Sequence, residues 1–458
     1  MADYQLIIIG GGLSGLAAGI RSARFGQKTL IVEQHHLPGG LNSYYFRQGY
    51  LLETGLHAMT NFAPRGEKHA PLNRLFRQLK LSRKKFITHE QLGSEVIFPG
   101  AVLKFSNDLN LLSEEVARTF PAAIDRFQAM AKEIAAYDPF AEVPWQSARK
   151  FLSSRLADPL LEDMLLLPLM VYGNAEEHDM DLGQFAIMFR ALFLEGFFRP
   201  EGTIKDLLDM LLGQYEKFGG EIRFRAPVKK IICDNERVQG IQLQSGEEIT
   251  ADAVLSTVGI PGTAYLSGWP LDFKNYTGRM SFMETISMVP AANLQQERTR
   301  RTILFYNLKE KLTYKRPDTP IDPSWGVICF PDNFQGLEQK DPVQARVTNA
   351  ANYDLWQQQD PARYKRLKEE CGQLSAAAVG KIIGNYRQDV VYQDSFTPMT
   401  IERFTAKPEG AVYGSPIKIK SGKTPWQNLF IAGTDQGYLG IVGSMLSGVT
   451  IVNQHLLK

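Results

Sequence analysis

Cysteine is scarce in this 458-residue chain: only Cys233, Cys329 and Cys371, far apart and without Cys-x-x-Cys spacing. That excludes a disulfide framework and a cysteine-based zinc site. The three thiols are read as buried or neutral in a reducing compartment. An excess of one charge is also lacking, with 51 Lys and Arg against 49 Asp and Glu and a net charge of +2. Charge balance therefore gives no support to a nucleic-acid partner. No apolar run reaches the ~18 residues of a membrane span. The nearest stretches carry Glu162 and Asp163 in one case, Arg190 and Glu195 in the other. The opening run from Leu6 to Ile9 is too short for a signal peptide, follows Asp3 and enters a glycine cluster. A cytoplasmic protein is expected, with peripheral contact to a membrane surface left open. The histidines show no metal spacing, so no metal is expected, and the chain has neither internal repeats nor low-complexity tracts.

What is present fits a soluble globular protein of two or three domains: 44% hydrophobic and 22% charged residues. Leu6 to Ile9 is continuously apolar and β-branched, as in a buried parallel strand. Gly10 to Gly15 reads as a turn, Leu16 to Phe25 as a helix, and Thr29 to Val32 as a second strand ending in Glu33. This βαβ unit opens a doubly wound sheet. Helical patterns then dominate from about Pro71 to Leu212, including Leu111–Thr119, Ala122–Ala136, Leu160–Leu167 and Phe185–Phe193. Short strands return at Glu221–Arg225, Val228–Cys233, Val238–Leu243 and Ala253–Val258. A mixed region to about Pro408 has strands near Thr302–Tyr306 and Val327–Phe330 and a long helix from Ala362 to Ile383. Asn428 to Ala432 and Ile441 to Leu457 repeat the opening strand and helix pattern. The basic clusters Arg83-Lys84-Lys85 and Arg298 to Arg301 read as solvated faces.

The chemistry concentrates at the two ends. In Gly10-Gly11-Gly12-Leu13-Ser14-Gly15, Gly10 permits a tight turn, Gly12 lets backbone approach a pyrophosphate, and Gly15 lets helix pack on strand. The helix N-terminus offers N–H groups and partial positive charge to phosphates. Glu33 can accept hydrogen bonds from ribose hydroxyls. This fingerprint alone suits NAD as well as FAD. A second glycine pair in Leu37-Pro38-Gly39-Gly40-Leu41-Asn42 allows the further close approach an FAD diphosphate and ribityl chain need. No second fingerprint follows a strand, which counts against a built-in nicotinamide domain.

These residues, with Phe46, Gly49-Tyr50 and Glu53-Thr54-Gly55-Leu56-His57, resemble the flavin-containing phytoene desaturases, carotenoid isomerases and retinol saturases, within the amine-oxidase-like superfamily. Glu53 stands where the family has Asp, and Leu41 where amine oxidases have an arginine. The resemblance extends to Gly196, Pro200 and Gly202, to Thr397-Pro398 with Thr400, and to Pro408-Glu409-Gly410 with Tyr413-Gly414. It closes on Gly433-Thr434-Asp435 and Gly440-Ile441-Val442-Gly443-Ser444-Met445. It implies an α/β fold with an FAD-binding, Rossmann-type (glutathione-reductase-like) parallel sheet and β-meander, plus an α+β substrate domain. The expected FAD domain comprises 1–70, 213–260 and 410–458; 71–212 and 261–409 form the substrate domain. Expected cofactor contacts are Gly10, Gly12, Leu13, Ser14, Gly15, Glu33, Gln34, Gly39, Gly40, Leu41, Asn42, Val228, Gly433, Asp435, Gly440, Ile441 and Val442. Val228 matches the valine whose backbone meets the adenine. Asp435 can orient ribityl hydroxyls or a phosphate-bound water, and the helix from Gly440 can aim its N-terminus at the flavin, where its dipole favours negative charge. His57 is the candidate for proton transfer. The implied activity is desaturation, saturation or isomerisation of a hydrophobic polyene or isoprenoid lipid. The apolar stretches Leu165–Met170 and Ala186–Phe198 are core that can also wall a channel. An amine or protoporphyrinogen oxidase and a non-catalytic prenyl-binding relative are the rival readings.

Overall fold

The computed structural model describes residues 2–141 and 143–457. Tyr4–Ile9 lies at the centre of a parallel sheet, flanked by Thr29–Val32 and by the far half of Glu248–Ser256. Glu221–Arg223 extends the sheet beyond Thr29–Val32, and Leu429–Ile431 extends it beyond Glu248–Ser256. The near half of Glu248–Ser256 continues into an antiparallel meander with Arg237–Leu243 and Val228–Asp234. The central runs Leu6–Ile9 and Leu30–Val32 are wholly apolar and buried because both faces of the sheet are covered. Leu6 and Ile8 pack into the helical side; Tyr4, Ile7 and Ile9 pack towards the meander.

The helical side is made by Leu13–Ala23 and Gly440–Ile451, joined by Pro71–Leu79 and Ile204–Lys217. Pro71–Leu79 and the part of Ile204–Lys217 up to Leu212 fall where the second domain was expected, so the expected borders at 70/71 and 212/213 cut through this core. Their apolar stripes explain the placement. Leu72, Leu75, Phe76 and Leu79, then Ile204, Leu207, Leu208, Leu211 and Tyr215, recur at helical spacing and are buried here.

The second layer is a seven-stranded sheet. Its order is Tyr392–Phe396, Ser281–Val289, Val343–Ala351, Ile321–Cys329, Ile303–Asn307, Ser94–Phe98, Ala101–Phe105. All pairings are antiparallel except Ile303–Asn307 with Ser94–Phe98. Helices between Leu109 and Phe189 share the large core on one face. On the opposite face, Pro361–Ile383 packs Ala376, Val379, Ile382 and Ile383 against Leu304, Ile328 and Val347.

The basic clusters are not simply solvated. Arg83 donates to Asn73 and to the Ala63 and Phe86 carbonyls. Arg298 and Arg301 both pair with Glu95, a carboxylate only 3% exposed, because a buried charge needs partners. No helix among the described residues is long and apolar enough to cross a membrane.

Candidate active site

One continuous cavity of about 1450 Å³ runs between the two sheets. At its first end it is walled by residues expected at a cofactor site: Gly10, Gly12, Leu13 and Ser14 from the first turn and helix, then Glu33 and Gln34. Gly39, Gly40, Leu41, Asn42, Val228, Gly433, Gly440 and Ile441 join them. Residues distant in sequence therefore share one wall.

The glycines divide into two kinds. A Cβ on Gly15 would overlap the Gly10 carbonyl and press on Ile8 at 3.3 Å, so Gly15 serves helix-on-strand packing. Gly10, at φ +105°, supplies the turn. On Gly12 the nearest atom to an added Cβ lies 3.9 Å away, on Gly40 3.7 Å, and on Gly433 3.9 Å. An added Cβ on any of these three would meet only ordinary van der Waals contacts, and all three line the cavity with bare backbone. The helix beginning at Leu13 has no side-chain cap, and neither does the one beginning at Gly440, so each directs its N-terminus at the cavity wall without a competing hydroxyl or carboxylate. Such a cradle fits a dinucleotide diphosphate.

Three expected contacts do not line this cavity. Gly15 packs as described, and Val442 is wholly buried in the first core. Asp435 is 1% exposed and accepts from the backbone N–H groups of Ile260 at 2.6 Å and Ser415 at 2.8 Å. It borders a small neighbouring hollow instead. Glu33 lines the cavity while accepting from the N–H of Gly11 and of His35, each at 2.7 Å.

At its other end the cavity is floored by the second sheet. Phe396, Glu284, Thr348 and Val327 lie in register across four strands, and all four line the cavity. Val171, Tyr172 and Met188 enter from the helices, so the expected channel-walling stretches contribute Met188, while Val171 and Tyr172 follow directly after the other. In this largely apolar floor, Glu284 meets His57, with Nε2 2.9 Å from Oε2. Behind Glu284 is Arg346, fully buried, whose Nε donates to Oε1 at 2.7 Å. Burial pushes the Glu284 carboxyl up, but the Arg346 charge and then His57 outweigh it and hold it below its ordinary value. Glu284 is thus ionised and accepts only, which places the proton of the shared contact on His57 Nε2.

Two buried arginines fix the loop that carries His57. Arg346 donates to the carbonyls of Glu53 at 2.8 Å and Leu56 at 3.2 Å; Arg199 donates to Leu56 O at 3.0 Å and pairs with Glu53. Glu53 also accepts the Ile204 N–H at 2.6 Å, at the start of a helix. The longer glutamate at this place thereby joins hairpin, helix and arginine.

Glu284, Arg346 and Arg199 escaped sequence reasoning. A signal for the first existed: a lone glutamate in Ser-Phe-Met-Glu-Thr-Ile-Ser-Met-Val, a nine-residue strand buried at every position. Arg346 lies in Val343–Ala351, where Gln344, Thr348 and Asn349 leave it without that contrast.

The sequence matches the flavin-containing amine oxidoreductases over residues 13–454, and the chain belongs to that family. It is a flavin-dependent oxidoreductase. It is 22% identical to all-trans-retinol 13,14-reductase of Danio rerio, over 99% of this chain and 87% of that protein. To prolycopene isomerase 2 of an Oncidium hybrid it is 21% identical, over 92% and 77%. An oxidoreductase from Methanosarcina mazei shares the fold, with a TM-score of 0.70 at 17% identity over 98% of this chain and all of that one. The resemblance read from the motifs is borne out.

Proposed function

We propose that the cavity binds FAD and that the enzyme saturates, desaturates or isomerises carbon–carbon double bonds in a hydrophobic polyene or isoprenoid-type lipid. One observation carries the proposal: a bare-backbone cradle opens without interruption onto an apolar floor holding one ordered His–Glu pair. Bound FAD supplies hydride transfer at N5. His57 supplies the proton. As imidazolium it gives the Nδ1 proton to a carbon and keeps Nε2–H on Glu284; in the opposite direction it takes one back. Saturation then adds hydride to one carbon and a proton to its neighbour, and desaturation reverses this. An external two-electron donor or acceptor closes either cycle, whereas isomerisation returns the same proton. Arg346, Arg199 and Glu53 hold His57 in place. The names of the relatives, which act on retinol and prolycopene, support the substrate class, and the floor around Phe282 and Val327 suits it.

The test is anaerobic. Bound flavin is mixed with a panel of retinoids, carotenoids and prenyl lipids, and separately with primary and polyamines, while absorbance and products are followed. Flavin reduction, reoxidation or a new isomer is expected with a member of the first group. Flavin indifferent to all of them, with peroxide released from amines in air, would overturn the proposal.

A further inference from the structure

A dinucleotide diphosphate brings two negative charges into the protein, and hydrogen bonds from backbone N–H groups offset them only in part. The glycine-rich stretch at Gly39-Gly40-Leu41-Asn42 contributes no cation. Lys407 does. It lines the cavity, and its Nζ donates to Thr434 Oγ1 at 2.7 Å. Thr434 directly follows Gly433, where an added Cβ would lie 3.9 Å from Ser14 in the first turn of the helix that starts at Leu13. An ammonium has three protons, and Thr434 takes one.

Lys407 is short of a counter-ion. Among the described residues no carboxylate lies within 4.0 Å of its Nζ. Its nearest negative group, Asp435, already accepts two backbone N–H groups and is shared with Lys418. Lys418 has a second carboxylate nearby, Glu176, and donates to Tyr413 O at 2.9 Å; it does not line the cavity. Burial pushes the Lys407 ammonium down, and Asp435 restores part of the loss. An anion arriving beside it would supply the missing partner. The other cavity-lining cations are differently placed: Lys368 holds Asp394 at 3.0 Å, Arg47 approaches the same carboxylate, and Arg403 lies over the Phe404 ring.

We infer that Lys407, fixed by Thr434 beside Gly433, is a cofactor-binding residue that contacts the FAD diphosphate where Gly433 adjoins the amino-terminal glycine turn. This rests on the FAD reading above. The test compares apoprotein binding of FAD and of riboflavin, which lacks phosphate, by quenching of flavin fluorescence. Lys407→Gln is expected to weaken FAD by roughly ten- to hundredfold and to leave riboflavin unchanged, with Lys407→Arg retaining most of the FAD affinity. Melting of each apo variant checks folding; if Lys407→Gln does not fold, loss of FAD preference over riboflavin in Thr434→Val serves instead. Equal FAD affinity in wild type and Lys407→Gln would overturn the inference, as would a parallel fall in riboflavin affinity. Wild type that prefers riboflavin or binds no FAD would instead refute the FAD reading itself.

Discussion

Gly12→Ala and Gly15→Ala change the same kind of residue three positions apart, and their consequences should separate. Gly12 has φ −72° and ψ 176°, a conformation alanine adopts freely, and its new methyl would meet nothing closer than 3.9 Å. Replacing glycine there should stabilise the apoprotein by about 0.4–1 kcal/mol through the unfolded chain. The methyl, however, occupies the space meant for phosphate oxygens, and FAD affinity should fall at least ~10-fold, which corresponds to about 1.4 kcal/mol. At Gly15 the methyl overlaps the Gly10 carbonyl and crowds Ile8 at 3.3 Å. Overpacking of this kind costs about 1–3 kcal/mol. With roughly 2.1 cal/mol/K of unfolding entropy per residue, that lowers the melting temperature by on the order of 1–3 °C if the chain unfolds as a unit. Calorimetry of the two apoproteins and fluorescence titration with FAD measure both arms. If Gly12→Ala melts as low as Gly15→Ala, or binds FAD as wild type does, the division between packing and cradle glycines is wrong.

His57→Gln should keep its bound flavin spectrum while turnover of a polyene substrate falls by about 10²–10⁴-fold; turnover within twofold of wild type would remove His57 from the chemistry. Glu284→Gln leaves the buried Arg346 without its carboxylate and should cost about 3–5 kcal/mol in chemical denaturation at neutral pH. Because Arg346 and His57 hold the folded carboxyl below its ordinary 4.5, the advantage of wild type is complete above that value. It disappears as pH falls through the lower folded value, so the gap between wild type and variant should close only in acid. A gap constant down to pH 2 would contradict the ion pair. Lys418 is pushed down to about 8 by burial, so the folded protein releases a proton the unfolded chain keeps to about 10.4. Stability should therefore rise with pH from 8 to 10, and Lys418→Met should lack that rise in pH-dependent melting.

The glycine-rich end of the cavity was legible because its signals are local. Glycine spacing, a buried strand before it and an acidic residue at the next strand end report backbone geometry that only certain residues permit, and Gly12, Glu33 and Gly40 do share one wall. The His57–Glu284 end was not legible. Glu284 meets His57, and Arg346 meets Leu56, across hundreds of positions through strands whose partners have no local signature. Ser281–Val289, buried at every position, offers no alternation to mark it as a strand. Pro71–Leu79 shows the same limit in another form: its stripe announces a helix, but a stripe does not say which core it faces. Asp435, expected to orient ribityl hydroxyls or a phosphate-bound water, has its carboxylate engaged by two backbone N–H groups, a partnership its motif does not reveal.

The most direct measurement is to unfold the purified protein and identify what it releases by absorbance, chromatography and mass. One FAD per chain is the result this cradle predicts. Release of FMN, of a nicotinamide dinucleotide or of nothing, from protein reconstituted with excess FAD, would contradict it.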